Sequence, residues 1–382
     1  MFEFFLFFYL LTLFLCLSSY ALYPIFIGVL GRLFPFKVHQ TDIKPNISII
    51  IPAYNEAKNI GKKIENTLNL EYPKDKVEIL VGSDGSTDKT AEIVKKFDNH
   101  NVHFVEFVEN RGKTAVQNDL VNLSEGEILI FTDAASFLKQ DALLKLVRNL
   151  ADERVGCVAG RMDFVGSDLN ITTQSQGLYW RYESKIRKLE SNFGCLIGVD
   201  GPLYAVRRDC YIPLERNIIS DLITPLLVLA QGKKVILEPE AFVFEDPTRE
   251  SEQELITRRR ITLRGLVSLF AHTKLLNPLK FPLLATQIFF HKILRWFVGP
   301  LFLLNGLACI FLSTSRMFTA ILIFYLFFVL AAAGGWIIGH FGMRNRLLAV
   351  PYYFTLVNLA ASLGIIDFFR KKQAISWKTV RN

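Results

Sequence analysis

Two short apolar runs, each ending in a hydroxyl residue and an aspartate, constrain the fold of this chain more than any other feature. The run from Glu78 to Asp84 (EILVGSD) is echoed 49 residues later by the run from Glu127 to Asp133 (EILIFTD). Continuous aliphatic runs are typical of strands that are buried on both faces of a parallel sheet. Ligands bind beyond the carboxyl ends of such strands. The repeat therefore predicts two carboxylates at the mouth of one cleft, which suits a nucleotide and a metal ion.

Strands and helices alternate along the region from residue 45 to residue 250. The predicted strands are 47–51, 77–83, 102–108, 128–132, 199–206 and 235–244. The predicted helices are 59–70, 86–97, 113–123, 141–150, 179–191 and 221–230. This alternation predicts an α/β fold with a mixed, mostly parallel sheet and helices on both faces.

The chain as a whole is too apolar for an ordinary soluble protein, because 51% of its residues are hydrophobic and the mean hydropathy is +0.28. Four stretches carry no charge: 4–31, 296–315, 317–343 and 347–366. About 20 apolar residues cross the hydrocarbon core of a bilayer. The first stretch lacks a basic n-region and a clear cleavage site, so we interpret it as a retained anchor and not as a signal peptide.

These patterns predict five segments in a multi-pass protein of the cell membrane. They are an anchor (1–31), a cytosolic catalytic domain (45–250), amphipathic interfacial helices (251–295), C-terminal spans (296–369) and a basic tail (370–382). A cytosolic tail requires an even number of spans after residue 280, whereas three apolar runs are present. Either residues 281–295 form a further span, or one of the three apolar runs is re-entrant and does not cross the membrane.

The net charge of +8 points to a membrane surface and not to nucleic acid. Its basic clusters, 258–264, 292–295 and 370–372, lie beside apolar segments, where anionic headgroups attract them. Residues 45–250 contain no basic stripe interleaved with aromatic residues, so no nucleic-acid partner is expected. The five scattered cysteines indicate reduced thiols in the cytosol. The sequence contains no Cys/His cluster, so we expect no zinc ion bound by protein side chains alone.

Three motifs follow the first strands, and each has a structural and a chemical interpretation. The motif Pro52-Ala-Tyr-Asn55-Glu56 follows a strand, where these are ordinary turn and cap residues. Asp84, in Asp-Gly-Ser, is either a turn residue or an acceptor for a base N–H or ribose hydroxyl. Lys113 closes the run Asn-Arg-Gly-Lys before a helix, which suits either a solvated loop or a phosphate.

Further acidic and basic residues follow with the same two interpretations. Asp133 caps a helix, or it binds Mg²⁺ or Mn²⁺ together with phosphate oxygens. Asp221 opens a helix, or it is the general base that deprotonates an acceptor hydroxyl. Arg258, Arg259 and Arg260 face the membrane, or they clamp a leaving diphosphate through guanidinium hydrogen bonds.

Taken together and in order, these motifs resemble those of the membrane-associated family-2 glycosyltransferases, which are inverting enzymes with a nucleotide-sugar-binding GT-A fold. The resemblance covers most of residues 45–265 and the region 268–303. The matching motifs are Pro52…Asn55-Glu56, Asp84-Gly-Ser, Asn110-x-Gly-Lys113, Thr132-Asp133-Ala, Gly201-x-x-Tyr-Ala-x-Arg-Arg208, Ser220-Asp221 and Gly232…Pro239-Glu-Ala…Glu245.

The resemblance implies a role for each candidate residue. A UDP-linked sugar donor is expected near the first two motifs, that is near Pro52, Asn55, Glu56 and Asp84. The other implied roles are phosphate binding by Lys113 and the three arginines, divalent-metal binding (Mg²⁺ or Mn²⁺) by Asp133, acceptor binding at Gly201, and general-base catalysis by Asp221. The implied partners are the nucleotide-sugar donor, a lipid-linked or nascent glycan acceptor, and membrane lipids.

Three departures from the family pattern leave two rival functions open. Ala135 replaces the second metal aspartate, and the acidic pair is Ser220-Asp221. The Gln-x-x-Arg-Trp motif of processive synthases is missing from 257–265, which favours transfer of one or few sugars. The first rival is a processive polysaccharide synthase with a transmembrane pore. The second is an inactive, membrane-tethered nucleotide-sugar-binding module.

Overall fold

One mixed sheet organises the computed structural model, which describes residues 1–97, 101–164, 171–246, 251–341 and 345–372. Its strands β1 to β8 are Ile47–Ala53, Val77–Asp84, Val102–Phe107, Ile128–Phe131, Phe137–Leu138, Val155–Phe164, Tyr204–Arg207 and Lys234–Glu245. They lie in the order β3-β2-β1-β4-β7-β6-β8-β5. The first four strands of this order are parallel, and β7 is antiparallel to both of its neighbours. The predicted mixed, mostly parallel sheet is confirmed.

Helices cover both faces of the sheet and continue into an apolar bundle. Helices α1 to α13 are Phe2–Leu17, Tyr23–Leu33, Ile60–Leu68, Thr90–Val94, Lys113–Leu123, Ala142–Val147, Ile171–Asn192, Ser220–Ala230, Ser251–Ala271, Pro282–Gln287, Leu294–Phe311, Arg316–His340 and Arg346–Phe369. Ile49 and Ile51 of β1 point to one face of the sheet and pack with α3 and α6, whereas Ile50 points to the other face and packs with α5. The period-two alternation of strand side chains thus gives two apolar layers around one sheet.

The predicted elements of the region 45–250 agree with the structure in most places. The helix at 113–123 coincides with α5, and the strand at 77–83 is β2. The strand predicted at 199–206 is wrong in its first half. There the backbone turns back, because Val199 N–H donates to Asp221 O and Leu203 N–H donates to Asp200 O. Strands β5 and β6 are not among the predictions.

Four helical runs in the described residues are long and apolar enough to cross a membrane. They are Phe2–Leu33, Pro282–Phe311, Arg316–His340 and Leu347–Phe369. In the second run, α10 and α11 are joined by a wider π-helical segment, Ile288–Ile293, and we call the whole run the α10–α11 helix. Residues 281–295 therefore add no separate span, and the helix crosses the predicted boundary at 295.

Helix α13 packs lengthwise on α9, although its composition would allow it to span. Near the start of α13, the Tyr353 hydroxyl donates to Glu254 of α9 at 2.6 Å. At its end, Asp367 accepts two hydrogen bonds from Arg259, at 2.5 and 2.9 Å. Both ends of α13 therefore lie against the amphipathic helix that borders the catalytic domain.

Buried charged groups join the sheet domain to the apolar helices. Glu190 of α7, which is fully buried, accepts a hydrogen bond from the Tyr23 hydroxyl of α2 and lies 2.6 Å from Nδ1 of His291. Glu183 lies 3.1 Å from the other ring nitrogen of His291 and 2.5 Å from Nη1 of Arg295. Removing one partner of such a buried pair typically costs about 3–5 kcal/mol, so these contacts fix the relative position of α2, α7 and the α10–α11 helix.

The junction between β1 and β4 supplies a test of the fold. A Cβ on Gly126 would lie 2.5 Å from the backbone nitrogen of Ser48 and 2.6 Å from the carbonyl carbon of Ile47. We expect Gly126→Ala to destabilise the protein by about 1–3 kcal/mol, because backbone atoms cannot move aside as a side chain can. Thermal unfolding of the purified protein in detergent measures the effect.

The matched control is Gly177→Ala, since a Cβ at Gly177 in α7 would meet no heavy atom within 4 Å. Alanine is favoured over glycine inside a helix by up to about 1 kcal/mol. The control should therefore unfold at the wild-type temperature or above it. Equal melting temperatures for Gly126→Ala and the wild type would contradict the proposed close approach.

Candidate active site

The carboxyl ends of β2 and β4 bring the two repeated motifs to one edge of the sheet. Strand β1 pairs in parallel with both of them, so the two strands point in the same direction on either side of it. Asp84 is the last residue of β2, and Asp133 follows the end of β4 by two residues. Both aspartates therefore lie at one edge of the sheet, as predicted, but of the two only Asp133 lines the cavity described below.

Asp84 is fully buried and organises the loop before α5. Its two carboxylate oxygens accept hydrogen bonds from the backbone N–H groups of Arg111 at 2.9 Å and Gly112 at 2.8 Å. Gly112 and Gly85 have positive φ, 95° and 66° respectively, which glycine adopts at little cost. The Asp84 carboxylate therefore holds the 110–112 loop at the sheet edge.

The first motif is tied to the turn that follows Asp84. Asn55 has φ 52°, a left-handed conformation that asparagine tolerates better than most residues. Its side-chain oxygen accepts from Thr87 N–H at 2.8 Å, and its own N–H donates to Ser86. Glu56, 7% exposed, accepts from the Asn59 amide at 2.8 Å. Pro52, Asn55, Glu56 and Asp84 therefore form one group of side chains at this edge.

A second group of charged residues surrounds Gly201. A Cβ at this position would lie 3.0 Å from Asp221 Oδ2, 3.0 Å from Lys113 Nζ and 3.6 Å from Asp133 Oδ2. The Lys113 ammonium forms an ion pair with Asp133. Helix α5, helix α8 and the end of β4 each supply one of these groups, and a Cβ at Gly201 would crowd the ends of the Asp221 and Lys113 side chains.

The charges of this group shift one another's titration. Burial raises the pKa of Asp221, Lys113 opposes this shift, and Asp133 adds to it. Burial alone would lower the pKa of Lys113, but Asp133 and Asp221 raise it overall. Lys113 is thus held as an ammonium, and Asp221 is a stronger proton acceptor than an ordinary aspartate.

Lys63 is a residue of the site that the sequence interpretation missed. It is fully buried in α3, and its ammonium donates to Thr132 Oγ1 at 2.8 Å and to Ser136 O at 2.6 Å. Burial lowers the pKa of Lys63 to about 7, although Asp133 opposes the shift. These bonds brace the segment that carries Asp133 from both sides. The sequence did contain an indication of this role, because Lys63 falls on the buried face of the amphipathic helix α3, together with Ile60, Ile64 and Thr67.

A cavity of about 500 Å³ opens from the Gly201 group towards the apolar helices. Its lining includes Lys113, Asp133, Gly201, Asp221, Arg258, Arg260, Arg264, Lys292 and Trp296. Pro52, Asn55, Glu56 and Asp84 are not among the described residues that line it. The structure thus gathers Lys113, Asp133, Gly201 and Asp221 with two of the predicted arginines, and leaves the first-motif group beside them.

The three predicted arginines point in different directions from α9. Arg260 borders the cavity with Arg264, whereas Arg259 pairs with Asp367 outside it. Arg258 also lines the cavity, but it is held by Glu254 at 2.8 Å and lies over the Tyr179 ring. Burial and the neighbouring Arg264 lower the pKa of Arg260. The structure therefore places Arg260 and Arg264 beside one another at the cavity, and Arg259 in a structural ion pair.

Carboxylate oxygens suited to a divalent cation are present at this cavity, but a closed ligand cluster is not. Within the described ranges, no group of three or more His, Cys, Asp or Glu residues could hold a metal ion. Asp133 borders the cavity with a side chain that is 27% exposed. A single carboxylate completed by phosphate oxygens and water is a common magnesium environment. The donor set therefore fits an ion that arrives with a diphosphate.

Comparisons with known proteins agree with this arrangement. The model of the family "Glycosyl transferase family 2" matches residues 48–209. The β-monoglucosyldiacylglycerol synthase of Nostoc sp. is 34% identical over 158 residues, which are 39% of this chain and 34% of that protein. The glycosyltransferase AglE of Haloferax volcanii is 36% identical over 127 residues, 33% of this chain and 42% of its own.

A synthase and a solved structure extend the comparison. The poly-β-1,6-N-acetyl-D-glucosamine synthase of Staphylococcus epidermidis is 29% identical over 155 residues, 36% of this chain and 37% of that protein. The chain thus spans less than half the length of these curated relatives. The mannosyltransferase PcManGT of Pyrobaculum calidifontis, solved with GDP-Man and Mn²⁺, superposes with a TM-score of 0.72 at 20% identity, over 96% of this chain and 100% of its own.

The matched region contains both aspartate-ended strands, the 110–113 loop and Gly201, and the structural likeness extends over nearly the whole chain. The resemblance inferred from the motifs is confirmed at the level of family and fold. Residues 48–209 are accordingly a glycosyltransferase family 2 domain, and the chain that carries it has a GT-A-like fold with apolar helices at both ends.

Proposed function

We propose that this protein is a membrane-bound, inverting glycosyltransferase that moves a sugar from a nucleotide donor, UDP-linked, to a lipid-linked or nascent glycan acceptor. The observation that carries the proposal is the convergence of Asp221, Lys113 and Asp133 around Gly201 at the head of one cavity. The names of the relatives, a glycolipid synthase and a polysaccharide synthase among them, support it.

Asp221 is the general base of the proposed reaction. It is oriented by α8, and its own carbonyl accepts from Val199 N–H at 3.0 Å, which fixes the acceptor side of the cavity. Burial raises its pKa, so its carboxylate takes up a proton more readily than an exposed aspartate. The acceptor hydroxyl loses its proton to Asp221 as its oxygen attacks the anomeric carbon and the bond to the nucleoside diphosphate breaks.

Cations neutralise the negative charge that the departing diphosphate carries. Lys113 lies within the Gly201 group, and Arg264 donates to Ile218 O near the start of α8. Arg260 and Arg264 repel one another at the cavity, and an anionic ligand between them would relieve that repulsion. The base and ribose of the donor bind at the neighbouring group of Asp84 and the Pro52–Glu56 turn.

A divalent ion, Mg²⁺ or Mn²⁺, fits the donor set of the site through Asp133. When bound, it would add positive charge beside the phosphate oxygens of the donor. Ala135 stands where the family carries its second aspartate, so the protein contributes this one carboxylate from the motif. Lys113, which already pairs with Asp133, supplies part of the same neutralisation.

The packing of α13 on α9 supports one membrane arrangement, although α13 also contacts α11 and α12. We infer that Phe2–Leu33, the α10–α11 helix and α12 cross the bilayer, and that α13 lies along its surface with α9. Two spans then follow residue 281, and the basic tail is on the side of the catalytic domain. On this arrangement the number of crossings after residue 281 is even, because the last apolar run is counted as a surface helix. The positive-inside rule assigns that side to the cytosol.

Substitution of the proposed base tests the reaction. Asp221→Asn keeps the size of the side chain but cannot accept the proton, so we expect single-turnover sugar transfer to fall about 10²–10⁴-fold. Nucleotide-sugar affinity should change little, since Asp221 acts on the acceptor hydroxyl, whereas Lys113, Asp133 and the Asp84 group bind the donor. The matched control is Asp209→Asn, an exposed aspartate, which should transfer at the wild-type rate. Wild-type transfer by Asp221→Asn would refute the assignment.

Two arginines of α9 that lie on different sides of the helix, Arg264 and Arg259, provide a second test. Arg264→Gln removes a cation from the cavity, whereas Arg259→Gln breaks the ion pair with Asp367 outside it. We expect Arg264→Gln to weaken UDP binding about tenfold, since a charged hydrogen bond contributes roughly 1.5–3 kcal/mol. Arg259→Gln should lower the melting temperature and leave UDP affinity unchanged. UDP affinity is measured by calorimetric titration. Equal UDP affinities for Arg264→Gln and Arg259→Gln would contradict the proposal.

Labelling of introduced cysteines tests the topology. In sealed proteoliposomes, a membrane-impermeant maleimide should label Arg370→Cys from the same side as Asn69→Cys in the catalytic domain. Thr314→Cys, in the exposed turn between α11 and α12, should react from the opposite side. Reaction of Arg370→Cys together with Thr314→Cys would mean that α13 crosses the bilayer.

A further inference from the structure

The cavity that holds the catalytic group is also lined by three further cations, Arg187, Lys292 and Arg295, and by the carboxylates of Glu183, Glu190 and Asp200. Arg187 of α7 and Arg295 of the α10–α11 helix line it and are 6% and 8% exposed. In the described part of the chain, Nη2 of both residues and Nε of Arg295 have no hydrogen-bond partner. A buried donor left unsatisfied costs roughly 1–3 kcal/mol, and more when charged. Three such nitrogens at one cavity point to an anionic ligand.

The carboxylates nearby leave these donors available. Arg187 uses Nη1 for Asp200, and Arg295 uses Nη1 for Glu183. Lys292 Nζ lies 3.7 Å from Glu183, which is beyond hydrogen-bond distance. Each cation therefore has a neighbouring carboxylate, and Arg187 and Arg295 each keep at least one nitrogen without a hydrogen bond among the described residues. The Arg295 guanidinium also lies over the rings of Tyr20, Tyr179 and Tyr182.

These cations lie close to the catalytic base. A Cβ on Gly198 would be 3.6 Å from Lys292 Nζ, and a Cβ on Gly201 would be 3.0 Å from Asp221 Oδ2. Three residues of chain span at most about 11 Å. The wall from Gly198 to Gly201 thus carries the cation site at one end and the base at the other, so a single ligand can touch both.

Aromatic and aliphatic side chains border the cavity together with the cations. These side chains are Tyr179, Trp180, Trp296, Val357 and Ala361, on α7, α11 and α13. The cavity therefore combines the catalytic group, three cations with their carboxylates, and apolar side chains from α11, which we infer to cross the membrane, and from α13. These three kinds of lining suit a hydroxyl, a phosphate and a hydrocarbon chain respectively.

We propose that Arg187, Lys292 and Arg295 bind the phosphate of a lipid acceptor, whose hydrocarbon chain lies against the apolar side chains of α11 and α13 and whose hydroxyl reaches Asp221. The ligand class is a phosphate ester on a long hydrocarbon chain. The link to Asp221 rests on the proposed transferase function, whereas the binding of a lipid phosphate does not. A neutral glycerolipid would supply no anion for the remaining guanidinium nitrogens of Arg187 and Arg295.

The test measures equilibrium binding by the full chain in detergent micelles, with no sugar donor present. The probes are polyprenyl phosphate, phosphatidic acid, polyprenol and inorganic phosphate, each read by native mass spectrometry and by the shift in melting temperature. At least one of the two lipid phosphates should bind tenfold or more tightly than polyprenol. The lipid phosphate that binds more tightly, polyprenyl phosphate or phosphatidic acid, identifies the type of hydrocarbon chain. Inorganic phosphate at the same concentration should produce no shift.

Variants connect the binding to the cations. Lys292→Gln should weaken binding of the lipid phosphate at least tenfold and leave UDP affinity unchanged, whereas Lys274→Gln, an exposed lysine, should alter neither. Arg187→Lys keeps the charge for Asp200 and removes the second donor, so it should show the same loss if Lys292→Gln fails to fold.

Equal affinity for polyprenol and both lipid phosphates would overturn the proposal, as would wild-type affinity in the variants, or inorganic phosphate that binds as tightly as the lipids. Absence of sugar transfer alongside selective binding of a lipid phosphate would refute the transferase function and leave this site standing. The two proposals therefore fail separately.

Discussion

The parallel pairing of β1 with both β2 and β4 is the constraint on which the rest of the structure depends. Because all three strands point the same way, Asp84 and Asp133 leave the sheet at one edge, whatever the helices do. Parallel neighbours require crossover connections, and helices α3 and α5 fill that role while covering opposite faces. Those helices then deliver Lys63 and Lys113 to the same edge. The positions of these four charged groups thus depend on the direction of the strands.

Much of this edge could be predicted from local pattern. The apolar runs that end in Asp84 and Asp133 specify buried strands, and the glycine before Lys113 specifies where α5 begins. Strand β6 was not predicted, because Val155–Phe164 contains two glycines and pairs with strands far away in the chain. Arg259 could not be separated from Arg258 and Arg260 either. Adjacent helical residues differ by about 100° in direction, and only the distant helix α13 decides which side meets Asp367.

Lys63 illustrates a different limit. The spacing of Ile60, Ile64 and Thr67 predicts the buried face of α3, and Lys63 lies on that face. A lysine there is expensive unless hydrogen-bond acceptors await it. The acceptors, Thr132 Oγ1 and Ser136 O, belong to another strand end and become visible only after folding. The helical spacing predicts that Lys63 is buried, but only the tertiary structure shows the hydrogen-bond acceptors that make this burial possible.

The wide segment Ile288–Ile293 has a consequence for exchanging parts between related proteins. Such a segment acts as a one-residue insertion in a helix. Before it, Gln287 bonds to the catalytic domain, and after it, Asn305 bonds to Tyr9 of α1. Loss of one residue here would rotate everything beyond by about 100° relative to the sheet. A chimera that joins this catalytic domain to a foreign membrane helix therefore has to preserve the phase of this turn as well as the hydrophobic length.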